Sequence, residues 1–452
     1  MVWRATALLQ RAPELAGPAE TQPSPDRTVV LNVLSHGPGY ELLSDGRSLL
    51  QSWPVAGGQT AGIVNREWPG ELGRWVLAET ERYAWEVWQP DTRVDRPLAH
   101  TFADGVVHRL FPAQPTVFRP GLLRPVPGVR SPSLRAALEA RAAGGRCALV
   151  LHGFGAPLWG EVAPRLSARL PTLLVGHGTV RPLRQRLRQV RHPLTLPALL
   201  IEHARTRRQY AGLRAVTGPN ATALAAARDL YRGPVHPLTM GCDFAFWTAP
   251  DAASRAAARA ALEIADQRTV LLTAAFLRPI KQIDRLIEAC LALGPRADYT
   301  LLVIGQGDAE YVAALRRLGR PLLADGRLRF EPYLEAEALR RRLWAADVFV
   351  CASRAEGASV AVMEALSCGL PVLSTPVGGT FELLQKQWAG AVLPAGAFAQ
   401  WPAVLRAILD GQRPAPLGRE VARAAFDWRN VAKRFVSILD AAVAPTPGRP
   451  PR

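Results

Sequence analysis

The segment from Asp347 to Gly379, DVFVCASRAEGASVAVMEALSCGLPVLSTPVGG, constrains the fold more than any other part of this chain. Val348 to Ser353 is a short apolar run ending in small polar residues, the pattern of a strand buried on both faces of a parallel sheet. Ser359 stands where an N-cap belongs. Val360, Met363 and Leu366 recur on one helical face, and Gly369 followed by Pro371 stops the helix after a few turns. Pro371 to Thr375 reads as the next strand, and Gly378-Gly379 opens a further loop. A strand, loop, helix, strand unit puts its loops outside the C-terminal ends of the strands, where open α/β sheets bind ligands.

Two carboxylates lie in that unit with seven residues between them, Glu356 in the loop and Glu364 about one turn inside the helix. Small residues at the helix start, Ala358, Ser359 and Ala361, with Gly357 and Val360 beside them, let backbone N–H groups approach a phosphate. From its place Glu364 is suited to accept hydrogen bonds from a ribose diol, while Glu356 faces the transferred group. Lys281, expected at the start of a helix after the strand Val270 to Ala274, puts a compact ammonium where a diphosphate needs neutralising. It is one of three lysines, with Lys386 and Lys433, among 55 basic residues.

This stretch resembles the signature region of the retaining GT-B glycosyltransferases of family 4, the glycosyl transferases group 1 type. There a Glu, seven residues and a second Glu precede a small-residue, CGLPV and GG pattern. ADVFV (346–350), LLVIGQGD (301–308), KQIDRLIEAC (281–290), LTMGCDFAFW (238–247) and FDW (426–428) fall in the family's order. The likeness is close over the C-terminal half and weak before residue 146. It implies an α/β fold of the GT-B kind, two doubly wound Rossmann-like domains facing a central cleft, with a C-terminal helix crossing back to the first domain. The expected division is a flexible tail over 1–27, an acceptor domain over 28–243, a nucleotide-sugar domain over 244–425, a crossover helix over 426–442 and a flexible tail over 443–452.

The resemblance also implies a reaction, transfer of a sugar from a nucleotide-diphosphate donor to an acceptor hydroxyl with retention of configuration. Glycan, lipid-linked and small-molecule acceptors all fit. His152, after the strand CALVL, falls where family members place a histidine that contacts the donor sugar, so it joins Glu356 as an expected catalytic residue; His177 in VGHGT is a second candidate. The family's phosphate-clamp arginine falls on Phe276, and Arg278 is the candidate substitute. The early Gly-rich loop that approaches the diphosphate matches either Gly57-Gly58 or His36-Gly37-Pro38-Gly39. Gly305, with Gly307, reads as a nucleotide-domain turn, and Tyr333 as a surface for the base. Tryptophans 53, 68, 75, 85, 88 and 159 concentrate in the first half, for a sugar groove or for core packing.

Composition narrows the alternatives. A chain of 452 residues with 48% hydrophobic content supports two cores rather than one. In the second half, strands over 269–274, 299–304, 327–330, 348–351, 372–374 and 391–393 alternate with helices over 281–293, 308–318, 335–345 and 359–368, the pattern of a doubly wound sheet. The net charge of +17 invites a nucleic-acid reading, yet arginine is spread over the whole chain and no nucleic-acid-binding motif stands out, so no nucleic-acid partner is expected. The densest cluster, residues 181–214, suits an anionic membrane surface, an acidic acceptor, or a solvated helix face. Five scattered cysteines fit reduced, buried thiols. With no Asp-x-Asp in the chain, neither a metal ion nor another cofactor is expected. No leader or spanning segment is read from the sequence, which points to the cytoplasm or the inner membrane face. A catalytically silent GT-B binding or scaffold protein is the rival reading, suggested by Phe276 and by Met240, where the family often has Asn.

Overall fold

Runs of branched apolar residues, TVVLNV, CALVLH, TVLLTA and YTLLVI, form strands buried along almost their whole length, so each needs cover on both faces. In this computed structural model, which describes residues 26–34, 68–92, 94–118, 126–144, 146–154, 157–178, 181–190 and 195–445, they belong to two separate sheets. The chain divides into two compact units: the first runs to Thr239 and resumes at Arg429, and the second holds Met240–Trp428.

The first unit contains β1 (Thr28–Val33), β2 (Tyr83–Asp91), β3 (Leu98–Thr101), β4 (Val107–Pro112), β5 (Gln114–Phe118), β6 (Val126–Arg130), β7 (Cys147–His152), β8 (Thr172–Val175), β9 (Ala215–Gly218) and β10 (Val235–Pro237). Eight of them make one sheet in the order β10-β9-β8-β7-β1-β2-β4-β3, parallel except for β3. Residues 91–130, hard to place from sequence because of their prolines, supply β3 to β6. Among the described residues β5 and β6 pair only with each other, which leaves one side of each strand outside the ladder and room for Pro115. Trp85, Trp88 and Trp159 are core residues.

The last described stretch of the chain forms two helices. Arg419–Phe426 stays with the second unit and Trp428–Val443 returns to the first. The break falls at Asp427 because the Trp428 amide is taken by the Cys242 carbonyl (3.2 Å) while the Cys242 amide bonds Phe426 (2.8 Å). In the first unit, Phe435 meets the Trp85 ring edge-on at 5.8 Å, and Asp440 accepts from the Tyr83 hydroxyl and from Arg82.

The second unit contains β11 (Thr269–Ala274), β12 (Tyr299–Ile304), β13 (Leu328–Glu331), β14 (Val348–Cys351), β15 (Val372–Ser374) and β16 (Ala391–Val392), all parallel, in the order β13-β12-β11-β14-β15-β16. The sequence order reverses between β11 and β14. At the opposite end of these strands Asp347, just before β14, binds Arg255 (2.9 Å), Arg413 (2.9 Å), Arg259 (3.3 Å) and the Val270 amide (2.8 Å).

One helix end breaks a local rule. Helix Gly378–Lys386 closes with the Trp388 amide on the Gln385 carbonyl and the Ala389 amide on the Leu384 carbonyl, the Schellman pattern, with Trp388 in the left-handed position at φ 52° and 93% exposed. Relieving the left-handed cost of about 1–2 kcal/mol outweighs glycine's added unfolded-state entropy of about 0.4–1 kcal/mol. Trp388→Gly is therefore expected to raise the melting temperature of the second unit by a few degrees in a thermal unfolding scan; a lower value would refute this.

Candidate active site

After β11 the chain must pass tightly over the end of β12. The Ala275 amide bonds the Ile304 carbonyl (3.0 Å) and the Leu277 amide bonds Gln306 (2.8 Å). Gly305 makes this approach feasible: at φ 143°, a Cβ there would lie 2.0 Å from the Ala275 carbonyl oxygen. The loop so held carries Phe276, which is buried, with the Arg278 guanidinium 4.8 Å from its ring centroid. The residue in the family's clamp position is thus a platform for its candidate substitute.

Lys281 does not begin the helix. Pro279–Lys281 is a 3₁₀ turn, Gln282 follows at φ 53°, and the α-helix starts at Ile283. Pro279 pre-sets the turn, and the Lys281 amide closes it on the Arg278 carbonyl at 2.8 Å. The Ile280 carbonyl then accepts the Arg354 amide (2.8 Å), which ties this turn to the loop after β14.

Those two loops bring the predicted charges together. Lys281 Nζ lies 2.6 Å from Glu356 Oε1, with side chains 19% and 11% exposed, so the pair is largely shielded from water yet reachable. The Ser353 hydroxyl donates to the same carboxylate oxygen at 2.6 Å. Thr375 Oγ1 in turn donates to the Ser353 carbonyl at 2.5 Å. Gly378, at φ 79°, lets the following helix pass close: a Cβ there would lie 2.9 Å from Glu356 Cβ, and the Gly379 amide bonds the Gly357 carbonyl at 3.1 Å. Ser353 was missed in the sequence reading. Its place three residues before Glu356, at a strand end, was the available signal.

Helix Val360–Ser367 begins where expected, but Ser359 makes no side-chain cap hydrogen bond; only its carbonyl engages, accepting the Met363 amide at 3.1 Å. Nor does this helix bury one face alone. Ala361 to Ser367 are all buried, because β14 and β15 lie on one side and helix Arg419–Phe426 packs on another. Glu364, one turn in, is 1% exposed. Tyr333 is half-buried in the loop after β13. Cys351 is buried, and burial pushes its thiol pKa up, so it is no nucleophile.

In the first unit, β1 and β7 are the neighbours at which strand order reverses. His152, at the end of β7, is 3% exposed and uses both ring nitrogens inside the protein: Nε2 lies 3.1 Å from Asn32 Oδ1 on β1, and Nδ1 lies 2.9 Å from His177 Nε2. Asn32 Nδ2 is oriented by the Glu86 and Val30 carbonyls at 3.3 and 3.4 Å, which directs Oδ1 to the imidazole. Asn32 Oδ1, so placed, accepts from His152 Nε2. Trp68 meets both rings edge-on, at 5.4 and 4.9 Å. His177 is the more exposed of the two. Asn32 was missed; a polar residue inside the apolar run TVVLNV was its signal. Gly58, Gly57, the loop 36–39 and Trp53 lie outside the described residues, as do 1–25 and 446–452.

Two parallel-sheet units, each with its polar residues gathered at a strand-order reversal, define the class: this is a GT-B fold. Solved structures agree. Sucrose-phosphate synthase from Thermosynechococcus elongatus superposes with a TM-score of 0.63 at 19% identity, over 91% of this chain and 98% of that one. Anabaena HepE in complex with UDP-glucose gives 0.62 at 18% identity, over 91% and 99%. Residues 267–410 match the family described as Glycosyl transferases group 1. Among curated relatives, D-inositol 3-phosphate glycosyltransferase of Jonesia denitrificans is 30% identical over 217 residues, 46% of this chain and 51% of that protein. A GDP-mannose-dependent monoacylated alpha-(1-6)-phosphatidylinositol monomannoside mannosyltransferase of Corynebacterium glutamicum is 28% identical over 214 residues, 45% and 55%. The chain spans about half the length of the curated relatives it matches.

Proposed function

We propose that this protein transfers a sugar from a nucleotide-diphosphate sugar to an acceptor hydroxyl, with retention of configuration and without a bound metal. The observation that carries the reading is the contact of Lys281 with Glu356 at the β11/β14 reversal, beside the start of helix Val360–Ser367. In this scheme the donor's diphosphate displaces Glu356 from the ammonium, and Lys281 with Arg278 and the amides at Val360 and Ala361 offsets charge on the leaving nucleotide. Glu356, held from behind by Ser353, binds hydroxyls of the sugar. Glu364 orients the ribose, and Tyr333 lies against the base.

The first unit supplies the acceptor side. Because both ring nitrogens of His152 are engaged within the protein, its part is to hold His177, which presents to the substrate. Relatives named for inositol phosphate and phosphatidylinositol mannoside support an acceptor from glycan or glycolipid synthesis. Among the described residues no helix is long and apolar enough to cross a membrane. We place the protein in the cytoplasm, working at the membrane face.

Thermal-shift measurement against a panel of nucleotide sugars tests the donor. At a hundred times the dissociation constant, binding adds about 2.7 kcal/mol to stability. A rise is expected for one donor class, and a clearly smaller one for Lys281→Ala at the same donor concentration. No shift with any nucleotide would overturn the reading, and a shift without turnover against any acceptor would favour the silent GT-B alternative.

A further inference from the structure

Helix Thr195–Tyr210, TLPALLIEHARTRRQY, buries only Ala198, Leu199 and Tyr210. Its outward side is unusual for a surface helix. Leu196 is 39%, Leu200 44% and Ile201 63% exposed, half of the six exposed large hydrophobics among the described residues. At helical spacing Leu196, Leu200, Ala204 and Arg208 make one stripe, with Ile201 and Arg205 alongside, so the stripe starts apolar and ends cationic.

The short helix before it, Leu183–Arg188, buries none of its residues and exposes Arg184 and Arg188. It is held in place by Arg186 on Glu202 (2.8 Å) and by the Leu183 amide on Asp229 (2.7 Å). Residues 181–214 contain nine arginines and one acidic residue, Glu202. With Glu202 in an ion pair, what remains outward is cationic around an apolar patch.

We propose that this face rests on an anionic lipid bilayer, with Leu196, Leu200 and Ile201 at the boundary between headgroups and acyl chains and the arginines on lipid phosphates. The proposal deepens the acceptor reading, on which it rests: it selects the lipid-linked class, because an enzyme docked this way is held where such an acceptor lies. Charge complementarity argues for lipid. Guanidinium forks grip phosphate in pairs, and three aliphatic side chains without an aromatic anchor suit acyl chains better than a protein pocket.

Co-sedimentation of the full chain with vesicles tests it. Strong binding is expected to phosphatidylcholine vesicles containing phosphatidylglycerol, with roughly tenfold or greater loss on pure phosphatidylcholine, at raised salt, or in Leu200→Ser/Ile201→Ser. Arg205→Gln/Arg208→Gln should weaken binding and flatten its salt dependence. All four positions are exposed or half-exposed, so melting temperature and transfer to a soluble acceptor should not change. Equal sedimentation of the wild type and Leu200→Ser/Ile201→Ser, or binding to polyglutamate as tight as to anionic vesicles, would overturn the proposal. Failure to bind vesicles with transfer to a soluble acceptor intact would remove the docking face and leave the transferase; vesicle binding without transfer from any nucleotide sugar would do the reverse.

Discussion

Glu356→Gln is expected to lower kcat by about a hundredfold or more while leaving affinity for the free nucleoside diphosphate unchanged or slightly tighter. In the resting site the carboxylate holds Lys281 at 2.6 Å, so a diphosphate must compete for the ammonium. A neutral amide holds that ammonium less firmly and removes the competitor, yet it no longer accepts strong hydrogen bonds from the sugar. Lys281→Ala should act in the opposite sense. Losing charge-assisted bonds worth about 1.5–3 kcal/mol weakens diphosphate binding by roughly ten- to a hundredfold, whether or not a sugar is attached. Calorimetric titration with the nucleotide, set beside initial rates, separates the two. Equal loss of diphosphate affinity in both variants would show that the pair is structural and that the donor binds elsewhere.

Asp347→Ala is expected to cost the second unit about 3–5 kcal/mol, the usual penalty for stripping one partner from a buried ion pair. Arg259 is 4% exposed and would keep its charge with one carboxylate fewer, and the Val270 amide would lose its acceptor at the start of β11. Arg413, 46% exposed, contributes little. A fall of about 10 °C in the unfolding midpoint follows for a unit of this size. Asp347→Asn, whose single amide oxygen can accept at only one of the two carboxylate positions and whose NH2 then faces N–H donors at the other, should recover little of that loss. A midpoint within a degree or two of wild type in the alanine variant would refute the assignment.

The second unit was legible because buried parallel strands write themselves as unbroken apolar runs, and its site because loops at strand ends fall at fixed spacing. Lys281 and Glu356 could be assigned to one donor cleft from sequence, but not their direct contact or the 3₁₀ turn that delivers Lys281; that turn depends on Pro279 and on a carbonyl contact with Arg354 from a distant loop. The burial of helix Val360–Ser367 on all sides was hidden because its outer cover, Arg419–Phe426, arrives from far along the chain. In the first half the prolines of 91–130 masked the strands there; of these, β5 and β6 pair, among the described residues, only with each other, whereas β4 with Pro112 pairs on both sides. His152 was read as a contact residue, while Asn32 and His177, which occupy its nitrogens, become visible only once β1 and β7 lie side by side.

The return of Trp428–Val443 to the first unit makes the second unit an insertion within it, which sets an order on biosynthesis. During vectorial synthesis the residues up to Thr239 emerge first but lack Phe435 and Asp440, the partners of Trp85, Tyr83 and Arg82. The inserted unit has every strand it needs by the time Trp428 leaves the ribosome, so it can close first, and the half that is made earliest is the half that matures last.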